Sequence, residues 1–558
     1  MAERLLSPGV LFLVGSLPKL TLPSGIAYLA VSYLKLPRWV CIAASVSAGP
    51  VWFWVRSIYR HLLEEREIRA LGAVRVPEVK GKWIGNLDLV VGRLKQGKDG
   101  YPFDAVELMI RRYGRTFNMQ ILGENRILTS NPAHIQRMFA TDFEGWEKGD
   151  KFRWQMSALG LGVFMADADL WKFHRQMTRP FFNRDKITNL EVFSRHCEDA
   201  LSVLKSSEGV AIDYQDVAFR FTLDSAAEFL LGVRVHSLHD STARSFGPAI
   251  SSLQHQLAQR SRTAPLWPLF ELKGDKTRKN LETIRGFVKP IIKAALERKE
   301  MNQGSSAESE TLLDELVAQT TDPKLIMDQT MNVMFAGRDT TAATITFLTY
   351  CLATHPAILT RLRAEILAQL GDIRIPTFED IKQMKLLRAA INETLRLFPP
   401  VPGNVRSAVK ATTLPPDTPG GKPYYIPKGA KVPFSIMAMH KSKEYWGEDA
   451  DIWDPDRFLD ERNQRVVANP FIFLPFSAGP RICLGQQFAY QEISFFIIRI
   501  LQSFESIELA SDAQPPESLP PASWANGSGR KKFEKIRPKS DLTMSVQGGL
   551  WLRLKSRV

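Results

Sequence analysis

A mainly α-helical globular unit behind a membrane-seeking N-terminus is the architecture this sequence predicts, and three observations predict it. Apolar residues recur at spacings of three and four in "LDELVAQ", "AILTRLRAEILAQL" and "LLRAAINETLRLF", as in helices that bury one face. Strand signals are few: "RTFNMQIL" near residue 120, "AKVPFSIMAM" near 435, and the tail "LTMSVQGGLWLRL", whose Gly-Gly pair between alternating runs signals a hairpin. The segment 1–60 has no globular pattern.

That segment holds three apolar stretches, Pro8 to Leu17, Leu20 to Leu34 and Trp39 to Val55, parted by Pro18-Lys19 and by Lys35, Pro37 and Arg38. The third carries no charge, has Trp39 at one end and Trp52 and Trp54 at the other, and precedes Arg56 and Arg60. Its length is at the short end of what spans a bilayer, and tryptophans mark interfaces. The expectation is an anchor over 1–60 with its main span at about 39–55, followed by one domain over 61–558. A buried hairpin is the alternative. Lys and Arg are denser after Val55 than before Trp39, which places the domain on the cytosolic side, at the endoplasmic reticulum membrane. A cleaved signal peptide would be shorter and uninterrupted.

Lys plus Arg exceed Asp plus Glu by 73 − 59 = +14, a balance suited to an anionic membrane surface or an acidic partner. No basic segment is interleaved with aromatics, which argues against nucleic acid. The four cysteines, Cys41, Cys197, Cys351 and Cys483, show no C-x-x-C spacing, so neither a disulfide framework nor a zinc ribbon is expected. Met301 to Glu310 reads as a loop between helices, and Gly529 to Lys539 as a solvated basic loop.

Cys483 stands in "PFSAGPRICLGQQ", where prolines and glycines force the backbone to bend around a thiol. Gly479 and Gly485 permit backbone conformations other residues resist and let a flat partner approach closely. Amide hydrogens in such a turn stabilise a thiolate, and Arg481 adds a fixed cation suited to a carboxylate. After Leu484 the chain turns apolar at helical spacing through Phe488, Ile493, Phe496 and Ile500. A thiolate bound to haem iron meets all these demands.

Phe476, Gly479, Arg481, Cys483 and Gly485 resemble the F-x-x-G-x-R-x-C-x-G cysteine loop of the cytochrome P-450 superfamily. The resemblance implies a triangular-prism fold with a small β-rich lobe, and Cys483 as the axial ligand of haem b. "NETLR" and "PDRF" resemble the family's structural network, with Glu393, Arg396 and Arg457 as members. "WKFHR" resembles the helix facing the haem edge, so Trp171 and Arg175 are implied propionate contacts. Arg406 is the implied second propionate partner, and His440 lies where many members place a histidine near that edge.

"AGRDTT", inside the long apolar segment from Leu325 to Pro356, resembles the oxygen-activation motif. By that match Thr340 hydrogen-bonds the oxygen being activated while Asp339 relays protons from solvent. Mid-helix Gly and Thr weaken the hydrogen-bond ladder, so a local bulge able to hold water is expected. A membrane span is the rival reading, made costly by Asp328, Arg338 and Asp339.

"DYQDVAFRFTLDSAAEFLLG" together with the other motifs resembles the fungal alkane and fatty-acid hydroxylase branch. Pocket positions implied by the family are Phe164, Met165, Asn332, Phe335, Ala336, Val401, Gly403, Val405, and Ser545 to Gly548 including Gln547. They are mostly apolar, which implies a large hydrophobic substrate; a terpenoid or aromatic hydrocarbon is an alternative to the alkane or fatty acid. No Gly-rich dinucleotide fingerprint follows a strand, so electrons for the cleavage of O2 are expected from an NADPH-dependent flavoprotein reductase. A reductase-independent isomerase or dehydratase, or a non-catalytic haem protein, are the readings set against this one.

Overall fold

Ser7 opens the first helix: its side chain accepts the Val10 amide, and Pro8 takes the first helical position, where a missing N–H costs nothing. The computed structural model describes residues 6–182, 190–239, 245–301 and 310–557, so the core of the expected 301–310 loop lies outside the described residues. Helix α1 (Pro8–Tyr33) runs through Pro18 and Lys19, fusing two stretches that the sequence reading kept apart. Helix α2 (Arg38–Ala70) passes Val55 and residue 60 without a break. Both are long and apolar enough to cross a membrane, with mean hydropathies of 1.5 and 1.2, where a single main span at 39–55 was expected. The two pack together, and Ser45 donates to the Ser24 carbonyl at 3.2 Å. The charged end of α2 belongs to the domain: Glu67 accepts a hydrogen bond from Tyr425, and Ile68, Ala73 and Tyr425 form a small buried cluster.

The domain packs around a helix that is buried on nearly every face. In chain order its positioning helices are α3 (Ala168–Thr178), α4 (Tyr214–Leu231), α5 (Phe246–Thr263), α6 (Pro323–Thr354), α7 (Pro356–Leu370), α8 (Lys385–Leu397) and α9 (Gln486–Ser503). Asp322 caps α6, with Pro323 at its first position, and every residue from Thr341 to Leu352 is buried. Helices α4, α8 and α9 surround it, and Phe347 stacks on Phe398 with centroids 4.5 Å apart. A helix enclosed by protein is apolar for packing reasons, so the membrane-span reading of this segment falls. The expected bulge is absent too: the helix runs unbroken through Gly337–Thr341, and Thr340 Oγ1 donates to Ala336 O at 2.7 Å.

Sheets are small. Strands β1 (Thr116–Asn118), β2 (Ile127–Thr129), β3 (Trp146–Glu147), β5 (Gly403–Ala408) and β8 (Lys431–Ser435) form one sheet in the order β1-β2-β8-β5-β3. Within this sheet β2 and β8 run parallel, at Thr129 and Phe434, and its other strand pairs are antiparallel. Strands β6 (Thr412–Leu414) and β7 (Tyr424–Ile426) pair separately. The tail is not the hairpin its Gly-Gly pair suggested. β11 (Met544–Val546) pairs with β10 (Pro538–Ser540), whereas β12 (Trp551–Ser556) joins β4 (Ile212–Asp213) and β9 (Phe504–Leu509). Gly548 and Gly549 have φ of +72° and +87°, and this left-handed turn carries the chain from one sheet into another. The basic segment Gly529–Lys539 is not simply solvated either. Arg530 is buried, its Nε donating to Glu534 Oε1 at 3.0 Å, while Tyr350 donates to Glu534 Oε2 at 2.8 Å. Tyr101 donates to Glu534 Oε1 as well, at 3.2 Å, and a carboxylate with these three buried partners holds the segment in the core, because a lone charge there would cost too much.

Candidate active site

The loop before α9 is held open by one glycine. Gly479 has φ of +60°, and a Cβ added to it would sit 1.8 Å from the Phe139 carbonyl oxygen. Gly485 differs from expectation: its φ is −85°, and an added Cβ would meet only a Phe182 ring carbon at 3.7 Å. Its part is played by its N–H instead. Burial raises the Cys483 thiol above its ordinary value, while the Gly485 amide and the nearby Arg175 cation oppose that rise. Cys483 lies deep in the molecule yet its surface is open, the arrangement of a side chain on a cleft wall. Its own N–H donates to Phe476 O at 2.9 Å, and Arg175 Nη1 braces the loop through Ile482 O at 2.8 Å.

Next to this loop the structure gathers more positive charge than it neutralises. Lys148 is buried, with its ammonium 3.7 Å from the centroid of the Phe164 ring, and desolvation followed by the nearby Arg406 and Arg481 holds it well below the usual lysine range. Arg406 is pushed down to about 9, chiefly by burial and then by Arg481. Arg481 falls to about 10 by burial, although Asp167 accepts from its Nη2 at 2.8 Å. Trp171 lies under the Arg481 guanidinium at 4.8 Å. Asp167 is already committed to Arg153 and to the Lys148 and Gly149 amides, and Arg481 Nε is buried with no partner. An anionic group is what these cations lack.

The fit to a haem is therefore tested by the chain itself. Among the described residues no cluster of three His, Cys, Asp or Glu side chains is placed to hold a bare metal ion. A single accessible cysteine beside under-neutralised cations suits a flat, dianionic group that brings the other metal ligands with it. The residues fit. Lys148 and Asp167 were missed at the sequence level, because neither lies in a recognisable motif and each gains meaning only from Arg406 and Arg481.

Behind the loop, Glu393 and Arg396 on α8 meet Arg457 in a fully buried cluster. Arg396 holds both Glu393 oxygens at 2.7 Å and donates to the His440, Ala450 and Ile452 carbonyls. Arg457 Nε lies 3.4 Å from Glu393 Oε1 and also grips Asp449. His440 is tied into this scaffold: Leu474 N–H donates to its Nε2 at 2.9 Å, its ring packs against Phe473 and Trp446, and burial lowers it to about 3.

Opposite stands α6. Ala336 is exposed and Thr340, one turn on, is half-buried, although their helix is otherwise enclosed. Asp339 points elsewhere. It is buried, its carboxyl is raised by desolvation against the pull of Arg338 and Gln254, and its Oδ1 has no hydrogen-bond partner although Arg338 Nη1 lies 3.0 Å away. Adjacent helical residues do not face each other, so anything passing between Asp339 and Thr340 needs an intermediary.

The expected pocket positions divide into two groups. Phe164, Ala336, Val401, Gly403 and Val405 keep accessible surface. Met165, Asn332 and Phe335 are buried in packing. Asn332 in particular is a staple: its Oδ1 accepts the Phe164 amide at 3.0 Å and its Nδ2 donates to Leu159 O at 2.7 Å. Asp328 and Gln329 accept the Leu161 and Val163 amides, so three side chains of α6 fasten the 159–165 loop. Ser545 opens into a polar cleft, and Gln547 N–H is spent on Arg537 O at 2.9 Å.

A family model described as Cytochrome P450 matches residues 85–533. The chain is 37% identical over 423 residues to Cytochrome P450 52A6 of Candida tropicalis, covering 72% of this chain and 79% of that one. It is 35% identical over 447 residues to Cytochrome P450 52A3-A of Candida maltosa, covering 76% and 84%. Cytochrome P450 monooxygenase himC of Aspergillus japonicus is 33% identical over 426 residues, covering 74% and 76%. Among solved structures, the "Crystal structure of cytochrome P450DA heme domain" superposes with a TM-score of 0.68 at 20% identity, covering 87% of this chain and 97% of that one; it shows the fold.

Proposed function

The chain belongs to the cytochrome P450 family of haem-thiolate monooxygenases, and on that premise we propose that it hydroxylates a large hydrophobic substrate of alkane or fatty-acid type, using electrons from an NADPH-dependent flavoprotein reductase. The observation that carries the reading is the placement of Cys483 beside the under-neutralised cations Lys148, Arg406 and Arg481. In this reading Cys483 holds haem b by its thiolate, and Arg406, Arg481, Lys148, Arg175 and Trp171 hold its propionates. His440 braces the loop by accepting from Leu474 at Nε2, and its buried Nδ1, which has no partner, is left to serve the haem edge. Bound there, haem supplies the activation of O2 from which one oxygen atom is inserted into the substrate.

The other steps are the chain's own. Phe164, Val401 and Val405 offer an apolar, water-poor wall to the substrate. Thr340 keeps its hydroxyl proton directed at Ala336 O and its lone pairs free to order a water on the open side. Asp339, its carboxyl raised by burial, is suited to hold a proton and release it to that water. Helices α1 and α2 anchor the protein, and the Lys and Arg that follow Val55 set the domain on the cytosolic side of the endoplasmic reticulum.

The experiment is reconstitution of the full-length protein in membranes with NADPH, a flavoprotein reductase and candidate alkanes, fatty acids and terpenoids. NADPH consumption in step with hydroxylated alkane or fatty acid is expected. Oxygenation of terpenoids alone would replace the substrate class, and reductase-free turnover of a hydroperoxide would replace the reaction. Cys483→Ser is the control: its reduced, carbon-monoxide-bound form should lack the strongly red-shifted Soret band.

A further inference from the structure

A polar cleft of about 390 Å³ lies between α4, α5, α6 and the β10–β11 turn; Asp339 is part of its lining, and neither Thr340 nor the cysteine loop is. We propose that this cleft is the water inlet that brings protons to Asp339, and that Gln254 is the positioning residue that holds the Asp339 carboxylate at its floor. The proposal rests on the reading of Asp339 as a proton carrier.

The lining is unlike that of a substrate pocket. Phe219 is its only apolar residue among those described, so water and not a hydrocarbon is suited to it. A water takes roughly 30 Å³, which leaves room for several. At the mouth, half-exposed His255 on α5 pairs with Asp541 of the β10–β11 turn at 3.1 Å, and Arg262 reaches the same carboxylate at 3.3 Å. Deeper in, Thr543 Oγ1 donates to Gln254 Oε1 at 3.2 Å. That bond orients the amide: with its oxygen engaged by Thr543, the Gln254 nitrogen is the end left to face Asp339, which shares the cleft lining, and its proximity favours the charged carboxylate. Asp339 Oδ1 remains a buried acceptor without a partner, and a cleft water is the donor within its reach.

The step balances without any further reagent. Cleft water gives one proton to the Asp339 carboxylate, and the resulting acid gives one through an intervening water to the water beside Thr340, which passes one on to the oxygen atom that leaves as water. Asp339 returns to its charged form, and bulk water replaces the proton. No electron moves.

The test uses the full-length, haem-loaded protein with its reductase. Gln254→Leu should keep the carbon-monoxide band and the substrate-induced spectral shift. It should lower product formed per NADPH by about tenfold, short of the full general acid–base contribution of roughly 10²–10⁴, and should enlarge the rate ratio between H2O and D2O. Thr543→Val, at a half-buried turn position where folding is less exposed to damage, should move both readouts in the same direction by less. Away from turnover, Gln254→Cys should react with a charged, water-soluble thiosulfonate far faster than buried Cys197 or Cys351. Parent-like coupling in Gln254→Leu, or a Gln254→Cys thiol as slow as the buried ones, overturns the inlet. Asp339→Asn separates the two ideas. If it slows or uncouples the enzyme while Gln254→Leu leaves coupling unchanged, only the inlet is lost; if it leaves both turnover and coupling as in the parent, the proton-carrier reading is lost first.

Discussion

Glu393 on α8 and Asp339 on α6 are both buried carboxylates with an arginine from their own helix beside them. Glu393 has both oxygens filled, by two bonds from Arg396, the Asp454 amide and the approach of Arg457. Asp339 has one oxygen without a hydrogen bond and a water-sized opening next to it. Burial with every partner present fixes a charge in place, because any motion leaves something unpaired. Burial with a partner missing raises the carboxyl and leaves it free to exchange a proton. In the proposed function the first is scaffold and the second machinery, and hydrogen-bond completeness is what distinguishes this pair.

The largest effect should come from spoiling the complete centre. Glu393→Gln strands the buried Arg396 and Arg457 charges, a loss of about 3–5 kcal/mol. Denaturant melts and haem content should both collapse; a variant with parent stability would make the network dispensable. The same isosteric change at the incomplete centre should spare the fold. Asp339→Asn should melt no lower than the parent, since a neutral amide is easier to bury, yet turn over as much as roughly 10²–10⁴-fold more slowly. Thr340→Ala should keep the haem spectrum and substrate shift while diverting NADPH into hydrogen peroxide. If it couples as well as the parent, α6 is only scaffold at that point.

The cysteine loop offers a finer contrast. Gly479→Ala forces a Cβ against the Phe139 carbonyl in a left-handed conformation, which alone costs about 1–2 kcal/mol, so haem uptake should fall. Gly485→Ala should be nearly neutral, because its backbone is ordinary and its N–H survives. Equal effects would mean that glycine is needed at both positions for close approach of the haem.

The smallest effect is a pH dependence. Burial lowers His440 from an ordinary 6.5 to about 3, so between those values the unfolded chain binds a proton that the folded chain refuses. Stability is complete above about 6.5 and is lost as pH falls, by about 2 kcal/mol at pH 5. His440→Asn should remove that part of the acid sensitivity in urea melts at pH 7 and pH 5. An unchanged pH profile would show that the ring is not buried as a neutral group.

Much of this was written locally. The cysteine loop, the Glu393–Arg396 pair and the Gly337–Thr341 run each lie within ten residues, where backbone geometry and helical spacing fix which side chains are neighbours. The same local logic erred where neighbours were chosen at long range. The tail's Gly-Gly turn is real, but β12 found partners in β4 and β9. Arg530 looked solvated until Glu534, Tyr350 and Tyr101 enclosed it. Lys148 and Asp167 have no motif of their own, and the polar cleft draws Gln254, Asp339 and Thr543 from three separate segments. The sequence by itself determined the helical class and the apolar N-terminus and singled out Cys483 as the proposed iron ligand, because each rests on residue chemistry and short spacing. Only the tertiary structure decided which charges were left short of partners, since that depends on every group that packing brings near.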